Sequence, residues 1–179
     1  MLLSVFYILG RERAMVFYGA LYVLVLILDG SRLMIPSWNR FAFEHLGSYI
    51  RRSEEHKLTG TTTYILGIGL SFYLYSPPTA TAAICYLAVG DVAATAIGER
   101  YGKTKIGGKS LEGTIAFVVA AFCAGLILSL AGVPLALWIL AIGAIVAASA
   151  ELLPLPLNDN LVIPLVSGGI MELALRTAG

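Results

Sequence analysis

At 179 residues, 58% hydrophobic and only 13% charged, the chain reads as a polytopic membrane protein. A formal net charge of +1 leaves no global basic field, so nucleic-acid binding is not expected and positive charge matters only where it clusters. Cys85 and Cys123 lie in apolar segments without CxxC spacing or a nearby His, which argues against a metal or redox centre and reads both as small buried hydrophobes.

The first segment, MLLSVFYILGRER, is too short an apolar run to span and lacks a basic n-region and a small-residue cleavage site, so it reads as the end of a truncated helix. Apolar runs follow at 14–30, 61–76, 79–98, 114–131, 133–150 and 161–175. Several are close to about 17 residues, which implies tilt or local thinning of the bilayer. The expected fold is an all-α transmembrane bundle of about six helices, forming one integral membrane domain over residues 1–179. No internal repeat and no low-complexity segment is seen.

Between the first two runs, segment 36–58 carries Arg40, Arg51, Arg52 and Lys57, and its RRSEEHK stretch mixes both signs at helical spacing. That pattern suits a solvated amphipathic stretch at the membrane surface. Arg51, Arg52 and Lys57 are also candidates to hold a lipid phosphate headgroup, because an Arg fork matches phosphate oxygens bidentately. His45 and His56 have no partner at metal-ligand spacing and read as satisfied or solvent-facing. Further along, Ser76-Pro77-Pro78 and Ala131-Gly132-Val133-Pro134 are uncharged tight turns, as expected of translocated hairpin ends. The positive-inside rule then makes segment 36–58 and the loop 99–110 cytoplasmic, the latter carrying Arg100, Lys103, Lys105 and Lys109. Glu151 to Asn160 returns to the same side; Arg11 and Arg13, placed outside, run against the scheme.

The stretch Gly90 to Gly113, GDVAATAIGERYGKTKIGGKSLEG, sets an aspartate inside an apolar helix that leads into a basic, glycine-rich loop. An ionisable residue within a span costs roughly 2.5 to 3.5 kcal/mol on insertion scales, which marks Asp91 as a functional candidate. Asp91, Thr95 and Gly98 share one helix face, and Asp91 lies about 12 Å below Glu99 at about 1.5 Å rise per residue. Gly108-Lys109-Ser110 ends like a P-loop, but the spacing from Gly102 to Gly107 is wrong and a helix, not a strand, precedes it. The underlying physics still applies: glycine lets backbone N–H groups approach phosphate, a lysine neutralises charge, and Lys109-Ser110 opens the next helix at the membrane surface. An ordinary basic cytoplasmic loop is the plainer reading.

Past the 133–150 run comes Glu151, then Asn158-Asp159-Asn160. Their hard oxygens suit Mg²⁺, which bridges carboxylates and substrate phosphates, so Asp159 and Asn160 are candidates to complete a site begun by Asp91. Pro164 and Ser167-Gly168-Gly169 interrupt the last apolar run and suggest broken backbone facing protein or a water-filled cavity.

GDVAATAIGERYGKTKIGGKSLEG resembles the signature of the CTP-dependent lipid kinases, the dolichol kinase, phytol kinase and diacylglycerol kinase group related to phosphatidate cytidylyltransferases. Glu54 to Gly67, EEHKLTGTTTYILG, is similar to the segment before that family's core hairpin, and Glu151 with Asp159-Asn160-Leu161 and Pro164 to Gly168 resembles its C-terminal signature. The family's N-terminal helix with an Arg-Lys and His motif is not matched, which again implies a truncated N-terminus. The resemblance implies transfer of the CTP γ-phosphate to the hydroxyl of a membrane lipid alcohol, whether polyprenol or dolichol, phytol-like or diacylglycerol-like, as a step of lipid and phospholipid biosynthesis. It further implies a cell-membrane enzyme with cytoplasmic active-site loops and Mg²⁺ as cofactor. Asp91 would hold Mg²⁺ or act as base toward the alcohol. Gly98, Gly102, Lys103, Lys105, Gly107, Gly108, Lys109 and Ser110 would bind the triphosphate, with Asp159 and Asn160 as further metal ligands. Glu112 would orient Lys109 or cap the helix, and Thr95 and Glu151 are additional candidates. The runner-up is a cytidylyltransferase making a CDP-lipid from a lipid phosphate, and a transporter is the alternative outside enzymes. Neither the particular lipid nor the oligomeric state is legible.

Overall fold

The computed structural model describes residues 2–46, 54–154 and 157–178. The helices are α1 (Leu2–Leu9), α2 (Arg11–Met34), α3 (Pro36–Leu46), α4 (Gly60–Leu74), α5 (Pro77–Tyr101), α6 (Leu111–Leu130), α7 (Leu137–Leu152) and α8 (Asp159–Ala178). Between α5 and α6 stand two short strands, β1 (Lys105–Ile106) and β2 (Lys109–Ser110). Each predicted apolar run coincides with one helix, the largest mismatch being at 133–136, which precedes α7, and the fold is an all-α membrane bundle. Among the described residues α2, α5, α6 and α8 are long and apolar enough to cross a membrane, while α7 is apolar but shorter.

The chain divides into two compact units, Met1–Gly69 and Leu70–Gly179. In the first, Tyr18 on α2 donates its hydroxyl to the Leu2 carbonyl at 2.8 Å, tying α2 to α1. On α3 Trp38 stacks on Phe41 and Phe41 on His45, and Ala42 is buried. The end of α2 is fixed by a buried ion pair, Asp29 with Arg32 at 2.9 Å. Asp29 also accepts from the Thr59 backbone N–H at 2.6 Å and the Thr62 hydroxyl at 2.8 Å. Arg32 donates to Asn39 at 2.8 Å and to the carbonyls of Glu54 and Lys57 at 3.1 and 2.7 Å, so one guanidinium gathers the loop before α4.

In the second unit small residues let helices approach closely, the usual device where apolar burial alone does not drive association. A Cβ at Gly90 on α5 would strike the ring of the fully buried Phe117 on α6, and one at Gly143 on α7 would strike Met171 on α8. Tyr86, buried among these helices, donates to the Leu140 carbonyl at 2.9 Å. Ile115, Val119, Ile127 and Leu130 are exposed on α6, as a lipid-facing surface requires. Cys123 is exposed on this same helix and Cys85 is half-buried, which corrects the expectation that both are buried. An all-apolar helix has no polar face to mark which side points outward.

α8 runs unbroken through Pro164, contrary to the expectation of interrupted backbone. As the sixth residue of the helix the proline forgoes one backbone bond, to the Asn160 carbonyl, and Ser167 donates to the Ile163 carbonyl at 2.7 Å. Gly168 serves packing instead: a Cβ there would come 2.6 Å from the Tyr75 ring.

Candidate functional site

The basic loop is a β-hairpin. Lys105 pairs with Ser110 and Ile106 with Lys109, and the connecting Gly107 and Gly108 have φ of +57° and +89°. Two successive positive-φ residues are the requirement of a type I′ turn, whose twist matches the strands it joins. The hairpin is clasped at its base, where Leu111 donates to the Thr104 carbonyl at 2.9 Å. The Thr104 N–H is in turn shared between both carboxylate oxygens of Glu112 at 3.2 Å.

The predicted nucleotide-loop residues therefore separate by role. Ser110 is buried and caps α6, its Oγ accepting from the Gly113 N–H at 3.1 Å. Gly98 and Gly102 let the end of α5 approach this cap: a Cβ at Gly98 would lie 2.8 Å from Ser110 Oγ, and one at Gly102 2.7 Å from it. These three build the corner between α5 and α6, where the sequence reading had them touching phosphate. Lys103 and Lys105 are exposed on the loop and hairpin. Glu112 holds the Thr104 N–H and not Lys109, because it stands in the first turn of α6, next to the orphan N–H groups of the loop it closes.

Lys109 turns inward. Its ammonium lies 2.8 Å from Asp159 Oδ2 and 3.1 Å from Glu151 Oε1 and also donates to the Glu151 carbonyl. Three helix ends supply this group: β2 leads into α6 with Lys109, α7 ends on Glu151, and α8 begins with Asp159. Asp159 in the first turn of α8 also suits the positive end of the helix dipole. Burial pulls the Lys109 pKa down, and the hydrogen bonds and charges of Asp159 and Glu151 outweigh it, so the ammonium titrates above the ordinary lysine value. Asp91, half-buried on α5, lies close enough to act electrostatically on Glu151. Glu151 is only 7% exposed, and its Oε2 is buried without a hydrogen-bond partner. Thr95 is exposed on α5, and the half-buried Asn160 donates its N–H to Asn158 Oδ1 at 3.0 Å.

Lys109, Glu151 and Asp159 thus come together from separate stretches of the second unit, and the charge of Asp91 on α5 bears on Glu151. Of the headgroup candidates in the first unit, Lys57 is exposed with its carbonyl held by Arg32, and Arg51 and Arg52 lie outside the described residues. Asp29 and Arg32 were missed by the sequence reading, although opposite charges three apart in the last turn of an apolar run are themselves a signal.

The second unit is a membrane-helix bundle in which a buried and a half-buried carboxylate flank a lysine beside a glycine hairpin, and the relatives are membrane-lipid kinases. The CTP-dependent diacylglycerol kinase 1 of Schizosaccharomyces pombe is 31% identical over 161 residues, covering 81% of this chain and 73% of that protein. The protein of the same name from Saccharomyces cerevisiae is 35% identical over 109 residues, covering 59% of this chain and 36% of its own. That from Eremothecium gossypii is 35% identical over 102 residues, 55% of this chain and 32% of its own, so the chain spans about a third of these two relatives. No family model matches the chain, and no solved structure matches it. The chain belongs to the CTP-dependent lipid kinase family.

Proposed function

We propose that this chain transfers the γ-phosphate of CTP to the hydroxyl of diacylglycerol, giving phosphatidate and CDP. The observation that carries the proposal is the meeting of Lys109, Glu151 and Asp159 at one place, with the Asp91 charge bearing on Glu151, since phosphoryl transfer depends mainly on positioning and charge stabilisation. The relatives' names favour diacylglycerol over the polyprenol and phytol alternatives and a kinase over a cytidylyltransferase.

The donor set fits Mg²⁺: all its oxygens are hard, and Glu151 Oε2 is a buried carboxylate oxygen with an unmade bond. No three acidic, His or Cys side chains among the described residues already converge as a metal cage. Mg²⁺ does not need one, because it is bound through one or two carboxylates with substrate phosphates and retained waters. Glu151 and Asp159 would hold it, or Asp91 in place of one of them, and it would supply charge neutralisation at the phosphates. Lys109 and the exposed Lys103 and Lys105 would gather the phosphate oxygens around the Gly107-Gly108 turn. The lipid oxygen forms a bond to the γ-phosphorus as the bond to CDP breaks. The hydroxyl proton leaves to a carboxylate of the cluster, with Asp91 the candidate base. The hairpin, the end of α7 and the start of α8 face the cytoplasm in this reading.

The test is incubation of the purified protein in vesicles with Mg²⁺ and CTP labelled at either the α- or the γ-phosphate. The expected result is γ-label in phosphatidate with diacylglycerol as acceptor and none with polyprenol or phytol. Transfer of α-label to added phosphatidate would establish the cytidylyltransferase instead.

A further inference from the structure

The ammonium of Lys109 is already engaged. It donates to Asp159 Oδ2 at 2.8 Å and to the Glu151 carbonyl, and it is ion-paired with Glu151 Oε1 at 3.1 Å. Two of its three N–H donors and its charge are thus taken up before any triphosphate arrives. Yet Glu151, with a side chain only 9% exposed, keeps Oε2 without a partner. A carboxylate buried to that degree ordinarily has both oxygens satisfied, and an unmade bond there points to a ligand absent from the resting arrangement.

We propose that Lys109 is a counter-cation that occupies the carboxylate site until nucleotide arrives, then exchanges with the divalent cation and passes to the phosphates. The proposal rests on the reading of this cluster as the Mg²⁺–CTP site. Two features make the exchange physically reasonable. The Lys109 side chain is 30% exposed, so a path to solvent and to an incoming phosphate is open. Its backbone sits on β2, one residue after the Gly107-Gly108 turn, so the stem can swing while the Ser110 cap and the Glu112 clasp stay in place.

Without nucleotide, a divalent cation must displace an ammonium that has nowhere equivalent to go. With CTP present, the phosphates receive the ammonium while the carboxylates receive the metal. Metal and nucleotide therefore raise each other's affinity, and linkage makes the factor reciprocal. Each site fills poorly alone.

The test uses Mn²⁺ as the probe, its binding to the full chain in detergent read from loss of the free-ion electron paramagnetic resonance signal, with and without CTP and with no lipid acceptor. Wild type is expected to bind Mn²⁺ at least about tenfold more tightly with CTP than without. Lys109→Met should bind Mn²⁺ without nucleotide about tenfold more tightly than wild type and lose most of the coupling to CTP. Glu151→Gln keeps an acceptor for Lys109, and so carries the test should Lys109→Met fail to fold; its Mn²⁺ affinity in the presence of CTP should fall about tenfold. Nucleotide-free Mn²⁺ binding that is equal in wild type and Lys109→Met would overturn the exchange, as would a Glu151→Gln protein that binds Mn²⁺ with CTP as wild type does. Tight Mn²⁺ binding by wild type without CTP would also overturn it while leaving the metal site standing. No Mn²⁺ binding to wild type with CTP would remove the metal reading itself.

Discussion

Each of the two units buries carboxylate beside cation, but the clusters differ in what they leave unmade. In the first, Asp29 uses both oxygens on Arg32, Thr59 and Thr62, and the Arg32 guanidinium is consumed by Asp29, Asn39 and the loop carbonyls. In the second, Lys109 holds Asp159 and one oxygen of Glu151, and the other Glu151 oxygen has no partner. A closed cluster has no valence to offer a ligand, so it fastens α2 to the loop before α4. An open one in a buried setting holds unsatisfied polarity, the kind of local cost that persists at functional sites. Burial of charge is common to both clusters; the unmade bond at Glu151 Oε2 is what sets the second apart as a candidate site.

The comparison breaks most visibly if the closed cluster is opened. Arg32→Ala leaves Asp29 buried and unpaired, and breaking such a pair costs roughly 3–5 kcal/mol. Loss of the folded species in detergent size-exclusion chromatography is the expected outcome, whereas a variant that elutes and melts like wild type would show that the first unit does not depend on this pair. Smaller is the effect of Gly113→Ala at the α5–α6 corner, where the new Cβ would lie 2.8 Å from the Ala94 carbonyl. Overpacking of this kind costs about 1–3 kcal/mol, so thermal unfolding should shift downward with some activity retained. An unchanged midpoint would mean that the helices have room to part. The mildest change is Glu112→Ala, which removes the acceptor of the Thr104 N–H. It should leave the midpoint in place and raise the apparent KM for CTP more than that for diacylglycerol, because it loosens the hairpin. A change confined to the lipid KM would take Glu112 and the hairpin out of nucleotide binding.

The six apolar runs were legible because length and hydropathy are summed over whole helices and need no partner. Asp91, Lys109, Glu151 and Asp159 were legible singly, each as an ionisable residue in or beside apolar sequence. That Lys109 pairs across 42 residues to Glu151 and 50 to Asp159 was not, because no local pattern encodes which helix ends meet. Glycine and serine are ambiguous for a different reason. The same residues that let backbone approach phosphate also let helices approach each other, and at Gly98, Gly102 and Ser110 the structure displays the second use. Asp29 and Arg32 were readable but were passed over at the end of the 14–30 run and just beyond it.

The central claim is that the open cluster of the second unit carries the phosphoryl transfer, and Asp91→Asn tests it most directly. The substitution keeps size and hydrogen bonding while removing the charge proposed to hold the metal or take the proton. Measured side by side, the rate of γ-phosphate transfer from CTP to diacylglycerol should be abolished while the thermal midpoint stays close to wild type. Mg²⁺-dependent transfer within a few-fold of wild type by a correctly folded Asp91→Asn protein would contradict the account.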